Sequence, residues 1–203
     1  MNNFLLYKRY INKLIFVLLA IVLIIPLITI AQTEAPYSKI NLEINFLQNK
    51  PSEFLNKYWY SKYGLQGLVS TPFYSGKIQA GATYYLFNGR EEKYPAFKGF
   101  FIFAGWGKDI RLPLKIIFCS SIRAGTFLMH FNVDTLSAFA NYESELAVNL
   151  NAALKFPLTN FLRLNLGGEF TEVFLHNRIK LLTAFGGLEY SFSSPAWLKE
   201  FFE

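Results

Sequence analysis

Two-residue alternation from Leu162 to Phe192 constrains this chain more than any other feature. Leu162, Leu164, Leu166, Gly168 and Phe170 share one parity, and Arg163, Asn165, Gly167, Glu169 and Thr171 the other. A second arm repeats the pattern, with Leu182, Ala184, Gly186, Leu188, Tyr190 and Phe192 against Thr183, Phe185, Gly187, Glu189 and Ser191. Successive side chains of a strand point to opposite faces, so each arm predicts a strand with one apolar and one more polar face. About ten residues is also the length that a tilted strand needs to cross the hydrocarbon of a bilayer.

The second parity decides the sidedness. On a wet exterior it would be rich in Lys and Glu. Here it holds glycine and small residues, with a few charges of both signs. That composition suits the crowded interior of a narrow closed tube. We therefore expect the polar face inside and the apolar face against lipid, in an all-β, eight-stranded antiparallel up-and-down transmembrane β-barrel.

The alternation continues through the rest of the chain. Six further strands are expected at Ile40–Gln48, Tyr63–Thr71, Lys77–Phe87, Phe97–Lys108, Leu114–Met129 and Ser144–Phe156. Tyr63–Thr71 alternates least well. Asn49–Lys62, Asn88–Ala96 and His130–Glu143 are the longer connections, on one side of the barrel. Pro72–Gly76, Asp109–Pro113 and Pro157–Asn160 are short turns on the other. Leu175–Arg178, which joins the last two strands on the longer side, is also short. Long outer loops and short periplasmic turns are the habit of bacterial outer-membrane barrels, and an even strand number puts both termini on the periplasmic side.

The flanks read as targeting and tail. Lys8, Arg9 and Lys13 precede an apolar run from Leu14 to Ile30, and Thr29-Ile30-Ala31 offers small residues for cleavage after Ala31. A signal peptide at 1–31, a barrel at 32–192 and a C-terminal amphipathic tail at 193–203 are the expected divisions. The signal carries three of the six net positive charges, so the basic balance is not a nucleic-acid footprint. In the tail, Pro195 sits where a helix can begin, and Trp197, Leu198 and Phe201 fall three to four apart, so a short amphipathic helix is expected there.

Catalysis has no visible constellation. His130 and His176 are the only histidines, both beside outer connections, and neither stands near a nucleophile or an acidic cluster. The single Cys119 can form no internal disulfide and is expected as an inert thiol in the lumen. No enzyme activity, no metal and no cofactor are expected. The inward charges are Glu43, Arg123, Glu145, Lys155, Arg163, Glu169 and Glu189. They should pair into a structural network, because an unpaired buried charge is costly. Tyr85, Phe101, Phe103, Phe127 and Phe185 also point inward and should block a water column. On the outer side, Tyr58, Trp59, Tyr60 and Lys62 form either an interface girdle or a contact for lipopolysaccharide or a partner, and the girdle is favoured.

By this pattern the chain, from Ile40 to Phe192, resembles the small eight-stranded bacterial outer-membrane barrels of the OmpA/OmpX-like class. Gly187, Tyr190 and Phe192 match the glycine and the two aromatic positions of the C-terminal insertion signal of such barrels. Phe185 stands where a polar residue is usual, and eleven residues follow the motif. The resemblance implies export by the Sec route to the outer membrane and assembly by the outer-membrane insertion machinery. It also implies outer-membrane lipid as the surroundings, a monomer, and a structural or surface-interaction role through the outer loops. A narrow passive pore for ions or small solutes, and a soluble secreted lipocalin-like carrier, are the alternatives.

Overall fold

The computed structural model describes residues 35–132, 142–175, 178–195 and 197. The expected signal peptide, His176 and the expected tail beyond Pro195, Trp197 apart, lie outside them. Eight strands follow in chain order: β1 (Lys39–Pro51), β2 (Trp59–Phe73), β3 (Gly76–Gly89), β4 (Phe97–Arg111), β5 (Ile117–Phe131), β6 (Tyr142–Pro157), β7 (Leu162–Val173) and β8 (Ile179–Ser193). Each pairs antiparallel with the next, and β1 pairs with β8, from Lys39 opposite Ser193 to Pro51 opposite Leu181. The sheet is therefore a closed up-and-down barrel. Closure leaves no edge strand, the condition a sheet must meet in hydrocarbon. No helix among the described residues is long and apolar enough to cross a membrane, which says nothing of strands.

Sidedness follows the alternation. Ile44, Phe46, Ile102, Ile122, Leu150, Leu182 and Leu188 stand on the outer wall, exposed. Glu43, Thr83, Phe101, Phe127, Asn149, Glu169 and Glu189 are buried inside. On β4 the outward parity carries Lys98 and Lys108, with Phe100, Ile102, Ala104 and Trp106 between them. Ten residues at about 3.3 Å each, on a strand tilted by about 40°, span about 25 Å, the height of a transmembrane apolar band.

Several expected boundaries move. β2 begins at Trp59, not Tyr63, because Asn49–Lys62 is not a plain loop: β1 runs on to Pro51 and a short helix, α1 (Glu53–Tyr58), follows. β2 alternates weakly in sequence because Leu68 faces inward and Gly67 outward. Its pairing with β3 shifts register between Ser61 and Gly64. Asn88-Gly89 belongs to β3 rather than to a turn, and Asp109 belongs to β4. β5 begins at Ile117, not Leu114. Pro113–Lys115 is a 3-10 turn with Leu114 and Lys115 both at positive φ, closed by Leu112 N–H donating to the Ile116 carbonyl at 2.8 Å. The reversal between β2 and β3 is made by Tyr74 and Ser75 alone.

Glycine has a specific use on β5 and β8. A Cβ on Gly125 would run into the Ile102 carbonyl oxygen and, at 2.7 Å, the Phe103 Cα. One on Gly187 would meet the Ile44 carbonyl and, at 2.7 Å, the Asn45 Cα. Both lie in the inward parity, where neighbouring strands approach most closely.

Candidate functional site

The lumen is filled with side chains. At the loop end, an apolar ring takes one or two residues from each strand from β3 to β8: Phe87, Phe97, Met129, Ala147, Val173, and Ile179 with Leu181. Leu55 of α1 enters the same cluster and is 2% exposed, so the helix caps the barrel mouth. Below this ring, Tyr85, Phe101 and Phe127 pack as a group, with Tyr85 and Phe127 stacked at 5.8 Å between ring centroids. Leu47, Cys119, Ala153 and Phe185 make a second apolar cluster.

The charges lie among these layers in three balanced groups. In the first, Lys155 Nζ pairs with Glu43 at 2.9 Å and with Glu189, and Arg163 pairs with the other Glu189 oxygen at 2.6 Å. Asn45 Nδ2 and Asn165 Nδ2 donate to Glu43 Oε1 at 2.6 and 2.5 Å. Arg163 also donates to Ser191 Oγ at 3.1 Å. In the second, Arg123 stands 3.4 Å from Glu169 and over the Phe103 ring. Glu169 further accepts from Gln66 Nε2 and the Tyr85 hydroxyl, each at 3.2 Å. Asn45 Nδ2 donates to Gln66 Oε1 at 3.0 Å and so joins the first two groups. The third is Lys77 with Asp109 at 2.6 Å, with Lys77 Nζ also 3.6 Å from Cys119 Sγ. Each group holds as many bases as acids, which in the first two offsets the cost of taking charge out of water, while Asp109 in the third keeps its side chain 38% exposed.

Six of the seven lumen charges singled out from sequence thus fall in two linked groups. Glu145 does not join them. It lies near the loop end of β6, half-exposed, and no ion pair to it is found among the described residues. Lys77, the first residue of the third expected strand, and Asp109, expected in a turn, are the inward charges that the sequence does not single out. Their parity was the available signal: Lys77 continues the inward series Gln79, Gly81, Thr83, and Asp109 continues Gly105, Gly107.

At the rim, the four outer-loop candidates divide. Trp59 is committed to packing: its Nε1 donates to the Pro95 carbonyl at 2.8 Å, and its ring meets Tyr58, Tyr94 and Phe97. Tyr60 is exposed and its hydroxyl accepts from Asn88 at 3.1 Å. Lys62 is exposed on β2. Arg90 binds the α1 residue Asn56 through its carbonyl at 2.5 Å and its Oδ1 at 2.7 Å, pinning the second loop to the cap. Of the insertion-signal residues, Gly187 faces inward, whereas Tyr190 and Phe192 lie on the outer wall near the turn end, with Tyr190 edge-on to Phe161. Among the described residues no three His, Cys, Asp or Glu are grouped so as to hold a metal.

A closed eight-stranded barrel with an apolar outer wall and a filled lumen is the fold of the small outer-membrane barrels, and solved structures of that class superpose on this chain. Neisserial surface protein A matches with a TM-score of 0.60 at 8% identity, covering 75% of this chain and 97% of its own. Ail of Yersinia pestis, in complex with the heparin analogue sucrose octasulfate, matches with a TM-score of 0.50 at 14% identity, over 76% and 99%. OprG from Pseudomonas aeruginosa matches with a TM-score of 0.50 at 8% identity, over 79% and 98%. At these identities the likeness is one of fold. No protein-family model matches the chain. No curated protein matches it in sequence.

Proposed function

We propose that this chain is an integral bacterial outer-membrane protein with a closed lumen, exported by the Sec route, inserted as a monomer by the outer-membrane assembly machinery, and acting through its loop-end surface rather than as a conduit or an enzyme. One observation carries the reading. Tyr85, Phe101 and Phe127 are each no more than 1% exposed, so these rings are closed off from solvent across the middle of the barrel. Eight strands leave an interior just wide enough for such side chains. The capped mouth, with Leu55 buried in it, Trp59 half-buried against it and Arg90 tying loop to helix, gives the loop end a fixed surface on which binding can be built.

Planar-bilayer recording tests the closed lumen. The purified barrel should show no steady unitary openings, and Phe101→Ala with Phe127→Ala should introduce them or flicker. Steady openings of the unsubstituted protein would refute the reading in favour of a narrow pore. Full solubility of the folded chain without detergent would refute it in favour of a soluble carrier.

A further inference from the structure

On the outer wall, where β4, β5 and β6 reach the loop end, Lys98, Phe100, Leu128, His130, Tyr142 and Ser144 are among the residues that line a groove of about 320 Å³. This volume falls within the ~300–1,000 Å³ usual for small-molecule sites. Its layout is set by register. Lys98 lies opposite His130, and His130 opposite Tyr142, forming one outward row. Phe100, Leu128 and Ser144 form the row below it, and Ile102, Thr126 and Leu146 the next. The upper row is polar, the lower rows mostly apolar. Small residues at Thr126, Ser144, Ala104 and Ala124 leave the wall shallow between Phe100, Leu128 and Ile102.

Lys98 is the upper of the two lysines that bracket the band of about 25 Å on β4, so this row lies at the headgroup level. Among the described residues Lys98 has no ion-pair partner, and its side chain is free to meet an anion. The His130 and Tyr142 rings stack at 4.4 Å, which fixes two hydrogen-bonding rings beside it. Glu143 is the one acid lining the groove, and its parity is that of the lumen-facing column, shared with Glu145 and Ala147.

We infer that this groove is a lipid site. It seats one acyl chain against Phe100 and Leu128 and holds the phosphorylated headgroup of an outer-leaflet lipid at Lys98, with His130 and Tyr142 donating to phosphate oxygens. An amphiphile of that form is the one occupant that uses both rows: a neutral lipid leaves Lys98 unanswered, and a free anion leaves the apolar floor in water. The leaflet assignment rests on the outer-membrane reading above, whereas the site itself does not.

Native mass spectrometry of the full-length barrel in neutral detergent, with lipid A as probe, tests it. One lipid A should stay bound per barrel. The same lipid stripped of its phosphates should be lost. Lys98→Gln should weaken retention about fivefold and Lys98→Glu about twenty-five-fold, since a basic residue at an anionic lipid surface contributes about 1 kcal/mol. Lys50→Glu, at the loop end of β1, should leave retention unchanged. Ser144→Trp should abolish it by filling the groove while keeping the charge. Folding of each variant is checked by its heat-dependent shift in gel mobility. Equal retention of the phosphate-free lipid, equal loss in Lys50→Glu and Lys98→Glu, or undiminished binding in Ser144→Trp would each overturn the proposal. Since the assay is run in micelles, these outcomes do not depend on which membrane or leaflet the barrel occupies, nor on whether its lumen conducts.

Discussion

Lys155 is the cation on which the turn-side lumen depends, and its removal gives a sharp test of how that lumen is held. Lys155 Nζ serves both Glu43 and Glu189. In Lys155→Met, Glu189 keeps Arg163 at 2.6 Å. Glu43 keeps only the amides of Asn45 and Asn165 and is left 5% exposed with no cation against it. A unit charge pair at the 2.9 Å of the Lys155–Glu43 contact is worth about 6 kcal/mol at an effective dielectric constant of about 20. Part of that returns as relief from burying the ammonium, so the expected loss is about 3–5 kcal/mol, as for other buried pairs broken on one side. Adding Glu43→Gln removes the stranded charge and leaves Arg163 with Glu189 as a neutral pair. The double variant should therefore be more stable than Lys155→Met alone by at least about 2 kcal/mol, a strongly non-additive cycle. Urea unfolding in phospholipid vesicles, followed by tryptophan fluorescence and by gel mobility, measures all four corners. Glu145→Gln serves as the comparison outside the paired groups and should change stability by less than about 0.5 kcal/mol. Additive behaviour, or a loss in Lys155→Met no larger than in Glu145→Gln, would refute the idea that mutual neutralisation holds these charges in the lumen.

Two further predictions use the wall itself. Gly125→Ala should destabilise by about 2 kcal/mol or more in the same urea assay, because its Cβ meets backbone atoms that cannot step aside. Gly67→Ala, whose Cβ has nothing within 4 Å, should be neutral or slightly stabilising. Equal costs would show that close strand approach is not what selects glycine here. Ile102 stands on the outer wall near the middle of the Lys98–Lys108 span. Ile102→Arg should cost about 2–4 kcal/mol in vesicles, while Gln48→Arg near the loop end of β1 should cost less than about 1 kcal/mol. A reversed order would place the apolar band elsewhere on the barrel.

What could be read from the chain, and what could not, divides along one physical line. Parity is a local property of a strand, so sidedness was legible wherever alternation ran long. The inward placing of Arg123, Lys155 and Glu189 needed no knowledge of any partner. Strand ends were less legible because the same residues serve turns and strands. Lys77 follows Ser75-Gly76 and Asp109 stands four residues before Pro113, so both carried turn-like surroundings, although each continued an inward series by one step. Strand register decided the matter, for Lys77 lies opposite Gly107 and Asp109 opposite Cys119, which brings the three side chains together. α1 had its own local signals, with Ser52 at the N-cap position, Glu53 in the first turn and Lys57 in the last. Six residues are too few to form a stable helix alone, and what holds this one is non-local: Leu55 in the apolar ring and Arg90 on Asn56. The groove beside Lys98 was hidden for the same reason. From sequence, His130 and Tyr142 fall on the single expected connection His130–Glu143, and their ring stack exists only because β5 and β6 continue to the rim in register. Local pattern therefore fixes which way a side chain faces, whereas the register between strands fixes what it meets. The chemistry of this barrel, in the lumen and on the wall alike, belongs to the second.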